Sequence, residues 1–152
     1  MPTHFLKPKV PLCALLTLMT LSMYPRSEAN PPSGSLLNLK LETTLVPSPA
    51  AVDVLLPPGY AELNDPVPLF IWLHGGSSGK GILQRRMKPY IESAWASGAL
   101  TPCVVVTPVT GSSYYIDWHD GTNQWERFIT GQMLQYMRDH YKVRQDRAGT
   151  VI

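Results

Sequence analysis

The stretch "LHGGSSGKG", Leu73 to Gly81, sets a histidine, two serines and a lysine among glycines, directly after an apolar run. Three chemistries use residues of this kind. A phosphate-binding loop follows G-x-x-x-x-G-K-[ST]. Gly79-Lys80 supplies its G-K pair, but the leading position falls on His74 and the position after lysine on Gly81, so the pattern fails at both ends. A nucleophile elbow follows G-x-S-x-G and presents its serine on a tight strand-to-helix turn. Gly75 to Gly79 satisfies the pattern with Ser77, yet Gly79 and Gly81 delay the helix that the turn requires. The third is a loop that donates backbone N–H groups to an oxyanion. Glycine lets the backbone approach a substrate closely. A strand ending in His-Gly-Gly has that form, with Gly76 as donor and His74 as loop anchor rather than base. The residues of the loop are equally compatible with a plain glycine-rich turn after a core strand.

Other chemistries find little support. His119 and Asp120 beside Asp117 are adjacent in one turn, a poor ligand set for a metal, and no second cluster accompanies them. Cys103 heads the apolar run "CVVVTP" and reads as a small core residue. No metal and no cofactor is expected. His140 lies on a helix and is expected to face solvent.

The elements that must hold the loop follow from hydrophobic periodicity. Leu37 to Leu45 alternates like a half-buried strand, and "AVDVLLP" supplies a second, joined through the turn "PSPA" as a hairpin. Leu69 to His74 is a continuous apolar run, as for a strand covered on both faces. "ILQRRMKPYIESAWASG" predicts a helix interrupted at Pro89 and ended near Gly98. "CVVVTPV" is another buried strand, and the long aromatic loop "TGSSYYIDWHDGTN" follows it. "QWERFITGQMLQYMRDHYK" predicts an amphipathic helix, with Trp125, Ile129, Met133 and Met137 on one face. Asn123 and Glu126 suggest a capping box, and Gly131 is a weak point. "RAGTVI" begins one more strand. This order predicts an α/β fold: antiparallel opening strands, then a parallel sheet with helices on both faces.

The N-terminus has the layout of a secretory signal peptide. Lys7 and Lys9 precede the uncharged run "VPLCALLTLMTLSM", and Ser27 and Ala29 have small-x-small spacing. Cleavage is expected after Ala29, leaving a domain from 30 to 152 with no stable membrane span, secreted or periplasmic; an uncleaved N-terminal anchor is the alternative. The run is shorter than the roughly 20 residues of a spanning helix. Of 13 basic residues, removal of Lys7, Lys9 and Arg26 leaves 10; of 11 acidic residues, removal of Glu28 leaves 10. The formal excess of +2 therefore belongs to the leader. No basic stripe for a nucleic-acid backbone remains.

"VLLPPGY", "PLFIWLHGG" and "PCVVVTPVTGSSYYIDWHDGTNQWERFITGQMLQYMRDHYKV" occur in that order. In series they resemble the esterase D-like branch of the α/β-hydrolases, which includes feruloyl and acetyl-xylan esterases, S-formylglutathione hydrolase and the antigen 85 mycolyltransferases. The resemblance runs from about Asp53 to Ile152. It implies an α/β-hydrolase fold and ester chemistry on a small-molecule or polysaccharide-linked substrate. It places Gly76 where the family donates an oxyanion N–H. It sets Tyr114, Tyr115, Asp117 and Trp118 beside the substrate cleft, where structural packing competes as their role. Ser77, Tyr115 and Trp118 are the candidate substrate contacts.

Such a site needs a serine, a carboxylate and a histidine, in that chain order. The resemblance puts the serine elbow just beyond "RAGTVI", so all three are expected after residue 152. The chain by itself is then expected to be an inactive N-terminal portion with an exposed apolar strand edge. A non-catalytic secreted binding domain, or a degenerate hydrolase, would share every feature seen up to that point.

Overall fold

The computed structural model describes residues 33–75 and 79–152. The proposed leader, Gly76 and Ser77 lie outside them. Five strands form one mixed sheet in the order β1-β2-β4-β3-β5. They are β1 (Ser35–Leu41), β2 (Ala50–Leu56), β3 (Leu69–Ile71), β4 (Val104–Pro108) and β5 (Thr150–Val151). β1 and β2 pair antiparallel, with Leu37 opposite Val54 and Leu39 opposite Val52. β2 also runs antiparallel to β4. β3 is parallel to both β4 and β5. The expected α/β order is present, with an antiparallel opening leading into parallel strands.

Helices cover both faces. A π-helical turn, Leu83–Met87, runs directly into α1, Lys88–Ala96. A second helix has three consecutive sections: α2 (Trp125–Arg127), a π-helical section (Phe128–Met133) and α3 (Leu134–His140). Side chains alternate along the central strands. Val104 and Val106 face the second helix with Val52, Val54 and Ile71, packing on Phe128, Met133 and Met137. Val105 and Leu55 face the other way, onto Leu83 and Ile91, where Cys103 also packs. Full burial of each such side chain contributes about 1.5–3 kcal/mol. Cys103 is a buried thiol whose pKa burial pushes up, consistent with its reading as a core residue.

Several local expectations need correction. The first strand ends at Leu41 rather than Leu45. Leu45 and Val46 still pack on the core, but from the connection to β2. Pro89 does not interrupt its helix. The helical segment continues through it, and the wider π-helical turn Leu83–Met87 lies immediately before the position that lacks an N–H. Gly98 ends the segment in the left-handed region (φ +74°). The Asn123–Glu126 capping box does not form. Gln124 is the N-cap and makes no side-chain cap bond.

β5 stands at the sheet edge. Val151 and Ile152 are exposed there, beside an apolar groove lined by Phe70, Leu100 and Cys103. Among the described residues no helix is long and apolar enough to cross a membrane.

Candidate active site

The parallel strands β3 and β4 end on the same side of the sheet, the side on which open α/β sheets hold ligands. The glycine loop leaves β3 there, and the aromatic loop leaves β4 beside it. Two polar ties join the strand ends. Trp72 N–H donates to Val106 O at 2.8 Å, and Thr107 Oγ1 donates to Trp72 O at 2.6 Å. Below Thr107 the register carries a polar row on the α1 side, from Asn38 to Asp53 to Thr107. Asn38 Nδ2 donates to Asp53 Oδ1 at 2.6 Å, while Asp53 Oδ2 is buried without a partner among the described residues.

His74 is 3% exposed, with a backbone carbonyl beside each ring nitrogen. Nε2 lies 3.1 Å from Pro108 O and Nδ1 3.0 Å from Gly75 O. A neutral imidazole has one N–H, so it donates to one of these carbonyls at a time. Its backbone carbonyl accepts the Tyr115 hydroxyl at 2.8 Å, and the two rings meet edge to face at 5.5 Å. This is the geometry of a loop anchor, with both ring nitrogens turned onto backbone oxygens.

The aromatic loop is held from both sides. Tyr114 and Tyr115 have φ of +56° and +60°, a region that residues with a Cβ seldom enter. Buried Ser113 accepts the Tyr115 N–H at its Oγ, 3.2 Å away. Burial pushes the Tyr115 phenol above its ordinary pKa, against the hydrogen bonds to Thr110 and the His74 carbonyl. Asp117 pairs with Gln124 in an isolated bridge. Its Oδ1 accepts the Arg127 N–H at 3.2 Å, and its Oδ2 pairs with Arg127 Nε at 3.2 Å. Asp117 thus caps the second helix from earlier in the same loop, the role assigned from spacing to Asn123 and Glu126.

Between these inward residues the loop exposes Tyr114, Ile116 and Trp118, and Leu73 is exposed at the end of β3. Asp120 is spent on its own turn. Hydrogen bonds from the Thr122 N–H and hydroxyl lower its pKa. Among the described residues no group of three or more His, Cys, Asp or Glu could hold a metal ion. His140 is exposed, stacks on Tyr136 and lies on the remote helix. The structure therefore brings His74, Tyr115 and the aromatic loop together at the strand ends and leaves His140 away from them. The link from Tyr115 to the His74 carbonyl had no signal in the sequence, because it joins residues 41 apart through a left-handed turn.

No curated protein matches the chain. Among solved structures, a ferulic acid esterase is similar at 24% identity and a TM-score of 0.68, over 78% of this chain and 48% of its own. A ferulic acid esterase from Anaeromyces mucronatus, solved in complex with ferulic acid, gives 18% identity and a TM-score of 0.61, over 77% and 47%. The S-formylglutathione hydrolase from Agrobacterium tumefaciens gives 17% and 0.62, over 76% and 47%. These likenesses are of fold, and this chain spans about half the length of each structure. The family model described as "Putative esterase" matches residues 44–152, from the connection before β2 through β5. With the mixed sheet and this match in agreement, the chain belongs to the esterase family.

Proposed function

We propose that the chain is the N-terminal part of a secreted serine carboxylic-ester hydrolase. The observation that carries the reading is the exposed Gly75 leaving β3 behind a buried histidine whose ring lies between two backbone carbonyls, within a chain of the esterase family. Residues 1–29 act as a cleaved signal peptide, and 30–152 form the first part of the hydrolase domain. The serine, the carboxylate and the histidine base lie beyond residue 152, so residues 30–152 alone have no turnover.

The reaction is acyl transfer in two steps, without cofactor or metal. The serine oxygen attacks the acyl carbon while the histidine takes its proton. The carbonyl oxygen becomes an oxyanion held by the Gly76 N–H and an N–H following the serine. Collapse expels the alcohol, which receives the proton, and water then releases the acid by the same route. Ser77, Tyr115 and Trp118 border the substrate, a small-molecule or polysaccharide-linked ester. Ferulic acid bound to a structural neighbour supports that substrate class.

The test is turnover of a phenyl ester by the protein expressed from its complete reading frame, with and without Gly76→Val. Valine keeps the backbone N–H, but its branched side chain crowds the approach to it, and a donor withheld from the oxyanion in this way lowers kcat by about 10²–10³-fold. Turnover at the wild-type rate in the variant contradicts the role of Gly76. No turnover by the wild-type protein contradicts the esterase reading and favours a non-catalytic binding domain.

A further inference from the structure

We propose that Tyr115 is a positioning residue that sets the exit of the glycine loop through the His74 carbonyl. The inference rests on the esterase reading above. The Tyr115 hydroxyl donates to His74 O at 2.8 Å. In a trans peptide the C=O and N–H point in opposite directions within one plane. A donor fixed on His74 O therefore fixes the plane of the His74–Gly75 peptide, and with it the heading of the chain as it leaves β3. The side chain of the same residue is held independently by Pro108 O at 3.1 Å. Gly75 is exposed, and among the described residues a Cβ added there would meet nothing within 4 Å. The contacts described at this exit are those of His74, the residue before it.

The backbone of the aromatic loop is shaped to deliver this contact. Two consecutive tyrosines sit at φ +56° and +60°. Ser113 Oγ holds the second by its N–H, and Asp117 ties the loop to the second helix two residues later. Strained backbone of this kind persists where its surroundings fix it, and it clusters at functional sites. Here it turns Tyr114 outward, 79% exposed, and Tyr115 inward onto His74. A tyrosine hydroxyl is a donor at neutral pH, and burial moves its pKa further up.

The experiment uses the protein from its complete reading frame and steady-state hydrolysis of a phenyl ester. Tyr115→Phe keeps the ring on His74 and removes only the donor. We expect kcat to fall about 5–10-fold with KM within about twofold, the signature of a contact that matters in the transition state. Tyr115→Leu should fall at least as far. Tyr90→Phe, on an exposed tyrosine of α1, should be unchanged. Wild-type kcat in Tyr115→Phe with impairment only in Tyr115→Leu means a packing role and overturns the proposal. A raised KM with unchanged kcat means that the hydroxyl binds substrate, and overturns it equally. No turnover by wild type removes the esterase reading and this inference together, a result distinct from the other two.

Discussion

Asp117 joins the aromatic loop to the second helix through two contacts of different kinds, and substitution separates them. Its Oδ1 accepts the Arg127 N–H at 3.2 Å, at the third position of a helix whose own N-cap makes no side-chain bond. Loss of such a cap costs about 0.5–2 kcal/mol. Its Oδ2 pairs with Arg127 Nε, but the arginine side chain is 69% exposed. Pairs in water that exposed contribute at most about 0.5–1 kcal/mol and weaken in salt. Asp117→Ala should therefore destabilise by about 1–2 kcal/mol. Arg127→Ala should cost less than about 0.5 kcal/mol, and Asp117→Asn, which keeps an acceptor, should fall between them. Urea unfolding at low and at about 1 M salt measures all three. The Asp117→Ala deficit should survive high salt while the Arg127→Ala deficit disappears. Equal effects of Asp117→Ala and Arg127→Ala, both abolished by salt, would refute the cap and leave only a surface ion pair.

Two further predictions concern the segment that enters β1. A Cβ on Gly34 would sit 2.6 Å from Leu56 O and 3.0 Å from the Trp95 ring, so Gly34→Ala should destabilise by about 1–3 kcal/mol in thermal or urea unfolding. Glu92 accepts Lys88 Nζ, Ser33 Oγ and the Gly34 N–H, at 2.6, 2.7 and 2.7 Å. Burial alone would raise its pKa, but these bonds together hold it below the ordinary glutamate value. A lowered folded-state pKa means that Glu92 contributes stability above its unfolded pKa and loses it as pH falls through the folded one. Acid titration of stability should show that loss in wild type and a shallower slope in Glu92→Gln; identical slopes would contradict it.

The legible parts of this fold are those fixed by local period. The Val104–Val106 run reads as a doubly covered strand because both faces are packed. The spacing of Trp125, Ile129, Met133 and Met137 gives the buried helix face although a π-helical section lies within it. The errors fall where a partner distant in sequence decides. Leu45 continues the alternation of β1, but its carbonyl accepts the Gln124 N–H and the strand has already ended. Asn123 and Glu126 have the spacing of a cap, and Asp117 takes the place from across the loop. The glycine loop could be placed at the end of β3 from its residues. The tether of His74 between Pro108 and Tyr115 could not, because it depends on two strands ending side by side and on two left-handed tyrosines.

An oxyanion loop at Gly76 requires a nucleophilic serine later in the chain. The most direct measurement is to treat the protein from its complete reading frame with a fluorophosphonate, which loses fluoride as it phosphonylates an activated serine, and to map the adduct by peptide mass spectrometry. We expect one adduct per molecule, on a serine in a peptide beyond Ile152, with Ser77 and Ser78 unmodified. An adduct on Ser77 would contradict it by making the glycine loop the nucleophile elbow, and no adduct at all would contradict the serine-esterase reading itself.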